Sequence, residues 1–240
     1  MSTRASITGV WQMKAWKLLV STTVLATGLV CGASASASVL YSETFEDGIA
    51  NGFSLSWLWH VTQNYPASGN YALGFVQIET AGSTPDGNYN LGYGRVLATA
   101  VSPSIFVPAT GTTTLTLDAW NSGECSTSSD DCQYDALYVE VSDGTTTTRI
   151  ATSDPTWFPG GVYIAGDPYT AVSVDLTGLG YAGSMINLSF TFDTVDGTAN
   201  DYPGARIDNI MVTDVPEPTT LALLGLGLAG LGFSRRRTLN

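Results

Sequence analysis

The sequence is short of basic residues and nearly lacks histidine. Its 240 residues hold nine lysines and arginines against 21 aspartates and glutamates, for a formal net charge of −12 at pH 7. The only lysines, Lys14 and Lys17, lie near the N-terminus. Such an acidic surface repels polyanions, which excludes nucleic acid as a partner. Because His60 is the single histidine, a metal-hydrolase site built on a histidine cluster is also excluded.

The N-terminal segment has the pattern of a secretory signal peptide. Basic residues precede the apolar run LLVSTTVLATGLVCG, and the small residues ASASAS follow it. Ala35-Ser36-Ala37 offers a cleavage site before Ser38. We therefore predict a signal peptide over residues 1–37 and secretion of the remainder; a buried core helix and a lipoprotein anchor at Cys31 are the weaker alternatives.

Two cysteines remain in the exported part, Cys125 and Cys132, on either side of the polar segment STSSDD. In an oxidising compartment two neighbouring cysteines are expected to pair, and closing so short a loop stabilises a fold by roughly 2–3 kcal/mol. Zinc is disfavoured because two thiols lack the further cysteine or histidine ligands that the metal needs.

The C-terminal stretch GLGLAG, residues 225–230, fits the glycine pattern of a dinucleotide-binding loop. That loop needs a strand before it and a full helix after it, and here prolines precede the stretch and only ten residues follow. The nucleotide interpretation therefore fails. Residues 219–233 instead form an uncharged apolar segment of about 22 Å as a helix, shorter than the roughly 30 Å hydrocarbon core of a bilayer.

A Pro-Glu-Pro motif, the short apolar segment and an arginine cluster occur in that order, a succession that resembles the PEP-CTERM sorting signal of Gram-negative bacteria. The resemblance implies recognition by an exosortase-type machinery, transient contact with the inner membrane, and delivery to the cell surface or extracellular matrix. It also implies a role in extracellular polysaccharide and biofilm. The residues that carry it, within a predicted segment 215–240, are Pro216, Glu217, Pro218, Arg235, Arg236 and Arg237.

Between these two segments the sequence reads as short strands separated by turns. Apolar and polar residues alternate with a period of two, which is typical of half-buried strands, and turn signals such as SDG and PGG separate the runs. We predict an all-β, antiparallel sandwich over residues 38–214. Its inward-facing residues are predicted to be Leu115, Leu117, Ala119, Leu137, Val139, Val141, Val172, Val174, Leu176, Ile186, Leu188, Phe190 and Phe192.

Three local patterns refine this prediction: ETFEDGIANGF, PASGNYALGF and GARIDNIMV, in that order. Their succession resembles the jelly-roll sandwiches of MAM domains and carbohydrate-binding modules. The cysteine pairs of MAM domains are not reproduced, which favours the second group.

Asp208 shares the parity of the apolar residues of the last strand, so its carboxylate is expected to point inward. A buried charge must be paired or bind a metal, and a salt bridge to Arg206 is the simplest solution. The alternative, which the jelly-roll resemblance implies, is a structural calcium ion that joins the first and last strands. Its ligands would be Glu46, Asp47 and Asp208.

Carbohydrate binding needs aromatic rings on an exposed surface. The segment TSDPTWFPGGVYIAGDPY offers Trp157 and Tyr163, and Trp57, Trp59 and Trp120 are further candidates. Aromatic residues more often belong to a core.

The enzymatic interpretation has little support in the sequence. No G-x-S-x-G motif accompanies His60, and an Asp-rich chain supplies accidental carboxylate pairs everywhere. The sequence thus predicts a secreted, non-enzymatic structural or adhesive protein with weak carbohydrate binding; the alternative is a surface-displayed glycan-active hydrolase.

Overall fold

The computed structural model describes residues 36–92, 94–124, 134–156, 160–217 and 224–228. Within these ranges it is built from thirteen strands, numbered in chain order. They are β1 (Ser38–Glu43), β2 (Ser54–Leu55), β3 (Trp59–Thr62), β4 (Ala72–Phe75), β5 (Leu97–Val101), β6 (Ile105–Phe106), β7 (Thr112–Ser122), β8 (Ala136–Ser142), β9 (Thr147–Thr152), β10 (Val162–Tyr163), β11 (Thr170–Asp175), β12 (Met185–Asp193) and β13 (Gly204–Val215).

The strands form two sheets. The first has the order β11-β7-β13-β4-β3, with β1 also paired to β13; the second has the order β10-β9-β8-β12-β5-β2, with β6 also paired to β12. Pairing is antiparallel except between β9 and β10, which run parallel. From β6 onward the chain crosses repeatedly from one sheet to the other, as in a jelly roll. The predicted all-β sandwich is confirmed, with one parallel pair that the sequence did not indicate.

The core lies between the two sheets and contains the residues that the alternation places inward. Every predicted inward residue is at most 2 % exposed except Val174, which is half-buried. Aromatic rings fill the centre, where Phe75 stacks on Phe192 at 4.5 Å between centroids and Tyr89 meets Phe192 edge-on at 4.9 Å. The period-two pattern therefore predicted correctly which face of each long strand is buried.

The last strand departs from that pattern. Its pairing with β7 shifts register by one residue between Asp208 and Met211, which is a β-bulge, and Asn209 within it has a φ of 52°. Ala205 and Ile207 face the core before the bulge, and Ile210 faces it afterwards. One extra residue reverses the parity of the strand.

The predicted segments at the two chain ends lie mostly outside the described residues. Residues 224–228 form a helical turn with exposed leucines. Among the residues that are described, no helix is both long and apolar enough to cross a membrane. The signal peptide and the transient membrane contact therefore stay predictions.

Candidate functional site

The outer face of the first sheet carries a buried arginine. Register aligns His60, Gly74, Arg206 and Trp120 in one row across β3, β4, β13 and β7. Arg206 is fully buried, and Gly74 makes room for it, since a Cβ on Gly74 would lie 3.3 Å from the Arg206 Cδ and 2.7 Å from the Thr62 methyl group. Arg206 therefore packs against the sheet at Gly74, on the side opposite the hydrophobic core.

Neutral oxygens hold this guanidinium. Arg206 donates to the Asn64 carbonyl (3.0 Å) and side-chain oxygen (2.6 Å), and to the carbonyls of Pro203 and Ala205 (both 2.9 Å). Burial lowers the pKa of Arg206 to about 10. Among the described residues no ion pair joins Arg206 to Asp208, so the salt bridge offered as the simplest solution is wrong.

A cluster of aromatic rings lies next to Arg206 on the outer face. Trp120, at 2 % exposure, has its ring centroid 5.8 Å from the guanidinium, meets Tyr65 edge-on at 5.1 Å and packs near Tyr169. Tyr65 stacks on Tyr169 at 5.5 Å and donates to Asp167 (2.5 Å), and this hydrogen bond raises the pKa of Tyr65 to about 12. Trp120 is thus part of a second small core outside the sheet and is not a binding platform.

Asp208 also faces outward, contrary to prediction, because the bulge lies between it and Ile210. Its carboxylate accepts hydrogen bonds from the backbone N–H groups of Ala67 (3.0 Å), Ser68 (3.1 Å) and Asn209 (2.7 Å). Burial raises the pKa of Asp208 to about 6, and these three bonds limit the rise. Asp208 therefore fastens the loop between β3 and β4 to the sheet.

Glu46 and Asp47, the other two predicted calcium ligands, stabilise turns. Glu46 accepts hydrogen bonds from the backbone N–H groups of Asn70 (2.9 Å) and Tyr71 (3.0 Å), which lower its pKa. Asp47 accepts from the side chain of Asn51 (2.8 Å) and the N–H of Ile49 (3.0 Å).

The three predicted ligands do not form a metal cluster. No group of three or more His, Cys, Asp or Glu side chains suited to a metal ion occurs in the described part of the chain. Glu46 and Asp208 hold the same loop, residues 67–71, from two sides. The calcium role of Glu46, Asp47 and Asp208 remains a prediction. In the structure each of these carboxylates accepts hydrogen bonds that stabilise a turn or loop.

This loop forms one wall of an open pocket of about 520 Å³. The other wall is residues 81–83, which bond to the segment that follows β3 through Tyr65 N–H to the Gly82 carbonyl (2.7 Å). Amide and hydroxyl side chains line the pocket, among them Gln63, Ser68, Asn70 and Ser83. These groups can donate and accept hydrogen bonds to a neutral polar ligand.

Trp57 stands at the other end of β3, the edge strand of the first sheet, and its side chain faces solvent. The residue is 66 % exposed and has a φ of 53°, in the left-handed region that residues with a Cβ rarely adopt. Ile78, with 78 % exposure and a φ of 57°, follows the neighbouring strand β4. Exposed apolar side chains on strained backbone are typical of functional surfaces.

The single histidine lies on the same edge strand and is engaged. His60 donates from Nδ1 to the Leu58 carbonyl (2.8 Å), and its Nε2 lies 2.6 Å from Glu79 Oε1. Both ring nitrogens of His60 are therefore engaged by groups of the protein itself. Partial burial raises the pKa of Glu79, but the hydrogen bonds from His60, from the backbone and from Thr62, together with the charge of His60, outweigh it, and the net pKa lies below its usual value.

The remaining predicted binding residues divide into three groups. Trp59 is buried in the core at 3 % exposure and, like Trp120, is unavailable to a ligand. Tyr163 is 38 % exposed on β10 at the edge of the second sheet. Trp157, Cys125 and Cys132 lie outside the described residues, so the aromatic platform and the disulfide predicted there remain predictions.

A model of the PEP-CTERM protein-sorting motif matches residues 214–237. The C-terminus carries a PEP-CTERM sorting signal. The protein is therefore exported, and an exosortase-type machinery is the partner that the motif implies. Strand β13 ends at Val215, and Pro216 and Glu217 beyond it are exposed. Pro218 and the arginines Arg235, Arg236 and Arg237 lie outside the described residues.

Solved β-sandwich structures resemble the fold distantly. The CBM22-1 xylan-binding domain of Paenibacillus barcinonensis Xyn10C is 14 % identical over 77 % of this chain and 99 % of that one, with a TM-score of 0.42. The K3 cleaved adhesin domain of Lys-gingipain from Porphyromonas gingivalis W83 is 13 % identical over 73 % and 98 %, with a TM-score of 0.41. No curated protein sequence matches the chain.

Proposed function

We propose that this exported protein binds polysaccharide through the outer edge of its first sheet, with Trp57 as the stacking platform. The single observation that carries the proposal is the presentation of Trp57: an indole at 66 % exposure, held out by a backbone with a φ of 53°. Exposing so large an apolar ring has no benefit for folding, whereas a flat ring in water suits the apolar face of a sugar.

The two ends of β3 supply complementary chemistry. Trp57 precedes the strand, and Gln63 follows it as part of the polar pocket. Gln63 lies six positions after Trp57, which corresponds to at most about 20 Å at 3.3 Å per residue. A polymer of several sugar units is long enough to contact both the ring and the pocket. The site is accordingly suited to a neutral polysaccharide chain, since an acidic one would meet a protein of net charge −12.

The proposed role is adhesive and non-catalytic, in the extracellular polysaccharide matrix. Surface sorting, which the PEP-CTERM motif implies, would bring the protein close to such polymers. His60, the chain's single histidine, has both ring nitrogens in hydrogen bonds within the protein, which leaves neither nitrogen free to contact a substrate. This role does not require the protein to change the polymer it holds.

Substitution of Trp57 tests the proposal. Trp57→Gly removes the ring and adopts the left-handed φ without strain, so the fold is expected to be as stable as in the wild type. Affinity for the bound neutral polysaccharide should fall about 10-fold or more, as for a central aromatic contact. Affinity electrophoresis against a panel of neutral and acidic polysaccharides measures the change, and a reducing-sugar assay on the same polymers measures turnover.

The matched control is Phe106→Ala. Phe106 is likewise an exposed aromatic residue, at 53 %, but lies on β6 in the second sheet. Its replacement should leave affinity unchanged. Equal retardation of the wild type and the Trp57 variant by every polysaccharide would reject the platform, and release of reducing ends by the wild type would favour the hydrolase alternative.

A further inference from the structure

Three buried oxygen atoms at one end of the sandwich lack a hydrogen-bond donor. They are the side-chain oxygens Oδ1 of Asn121, Asp135 and Asn200, in residues 3 %, 1 % and 2 % exposed. Asn121 lies near the end of β7, Asp135 immediately precedes β8, and Asn200 lies four residues before β13. In the described part of the chain, these three are all of the buried side-chain acceptors without a donor apart from the hydroxyl of Tyr41.

Hydrogen bonds connect the three residues. Asn121 donates from Nδ2 to the backbone carbonyl of Asp135 (3.0 Å) and to Ser153 Oγ (2.9 Å), which fixes its amide with the oxygen as the remaining free group. Tyr89 joins the other two, because its hydroxyl donates to Asp135 Oδ2 (2.6 Å) and its backbone N–H donates to the Asn200 carbonyl (3.2 Å).

Only one of the two carboxylate oxygens of Asp135 accepts hydrogen bonds. Its Oδ2 accepts from Tyr89 and from the backbone N–H of Glu124 (2.8 Å), whereas its Oδ1 accepts nothing. Burial, with smaller contributions from the charges of Glu124 and Asp196, raises the pKa of Asp135 to about 6, although the hydrogen bonds from Tyr89 and Glu124 limit the rise. A buried acceptor without a hydrogen-bond donor destabilises the fold, and a charged acceptor does so more strongly than a neutral one.

The surroundings of these oxygens favour a cation over a further protein donor. The nearby side chains of Glu124 and Asp196 are acidic. Arg95 is already committed to Asp193 through two contacts, one of them 2.8 Å from its Nε. Carboxylate and amide oxygens in an irregular loop arrangement are the ligands that calcium accepts in its flexible shell of six to eight oxygens, whereas magnesium demands a regular octahedron.

We propose that Asp135 Oδ1, with the side-chain oxygens of Asn121 and Asn200, binds a calcium ion at this end of the sandwich. The site is separate from the one that the sequence predicted around Asp208. Calcium there would tie the end of β7 to the start of β8 and to the loop that precedes β13.

Asp135→Asn is the decisive variant. Asparagine tolerates the φ of 54° at this position, and its oxygen can take over the bonds from Tyr89 and Glu124 while its NH₂ group replaces the orphaned oxygen. The variant should therefore fold, and in EDTA it should be at least as stable as the wild type because a buried charge is removed. It should bind calcium about 10-fold or more weakly.

Thermal unfolding and calorimetric titration of the full chain with CaCl₂, for the wild type, Asp135→Asn and the control Asp208→Asn, test the proposal. The expected result is calcium stabilisation of the wild type and the Asp208 variant, absent from the Asp135 variant. Stabilisation of all three proteins, or its loss only in the Asp208 variant, would overturn the assignment. An unchanged melting temperature and no binding heat for the wild type would mean that water alone meets these oxygens, which also overturns it.

Discussion

Replacing Asp208 by alanine should destabilise the domain and release one loop. The carboxylate is the shared acceptor of three backbone N–H groups, at 3.0, 3.1 and 2.7 Å. Each such bond contributes about 1 kcal/mol net, and removing a buried charge offsets part of the sum. We therefore expect a loss of about 2–3 kcal/mol, or a melting temperature lower by about 4–12 °C for a domain of this size.

Two measurements separate this mechanism from a general weakening of the fold. Urea unfolding in EDTA gives the free energy, and hydrogen exchange resolves the amides. The N–H groups of Ala67 and Ser68 should lose protection beyond the global change, while the core amide of Leu117 should change only with global stability. Asp175→Ala serves as control, because Asp175 is the exposed last residue of β11 and its side chain accepts one bond, from Gly178 N–H at 2.9 Å.

Two results would contradict this role of Asp208: a loss of stability in Asp208→Ala no larger than in Asp175→Ala, or continued protection of the amides of residues 67 and 68. Either result would mean that the loop holds its place without the carboxylate. If added calcium stabilises the wild type but not the Asp208 variant, the ligand role predicted from the sequence would be supported instead.

Three further predictions follow from single contacts. Gly204→Ala should lower the free energy of unfolding in urea by more than about 3 kcal/mol, because the added Cβ would lie 2.1 Å from the Phe75 carbonyl oxygen. Gly144→Ala is the control, since Gly144 has a similar φ of 84° but open space around it, and should lose only the conformational cost of about 1 kcal/mol. Glu46→Gln should reduce the loss of stability at acidic pH. Because the pKa of Glu46 is lowered in the folded state, its carboxylate stabilises the fold above pH 4.5, and this contribution is lost as the pH falls below that value. Identical profiles of stability against pH for the wild type and the variant would exclude a stabilising role of the Glu46 carboxylate. Deleting residues 218–240 should abolish surface sorting in cell fractionation yet leave the melting temperature unchanged, since β13 ends at Val215; a lowered melting temperature would contradict the tail's independence.

The sequence alone predicted the parts of the molecule that depend on local patterns. Alternation along β7, β8 and β12 placed their apolar residues in the core because a strand turns successive side chains to opposite faces whatever its partners are. The sorting signal could also be identified from the sequence, because its motif consists of contiguous residues, 214–237.

Where Arg206 and Asp208 point was decided only by the tertiary structure. Both residues point away from the core because β13 has one extra residue relative to β7, which forms the bulge. The bulge is defined by the pairing of two strands that are far apart in sequence, so the sequence of β13 alone does not reveal it. The same holds for Asn64 beneath the guanidinium and for the orphaned oxygen of Asp135, whose surroundings come from segments more than 40 residues apart. The alternation of side chains between two faces follows from the sequence of one strand, whereas register and burial depend on the segments that pack against that strand.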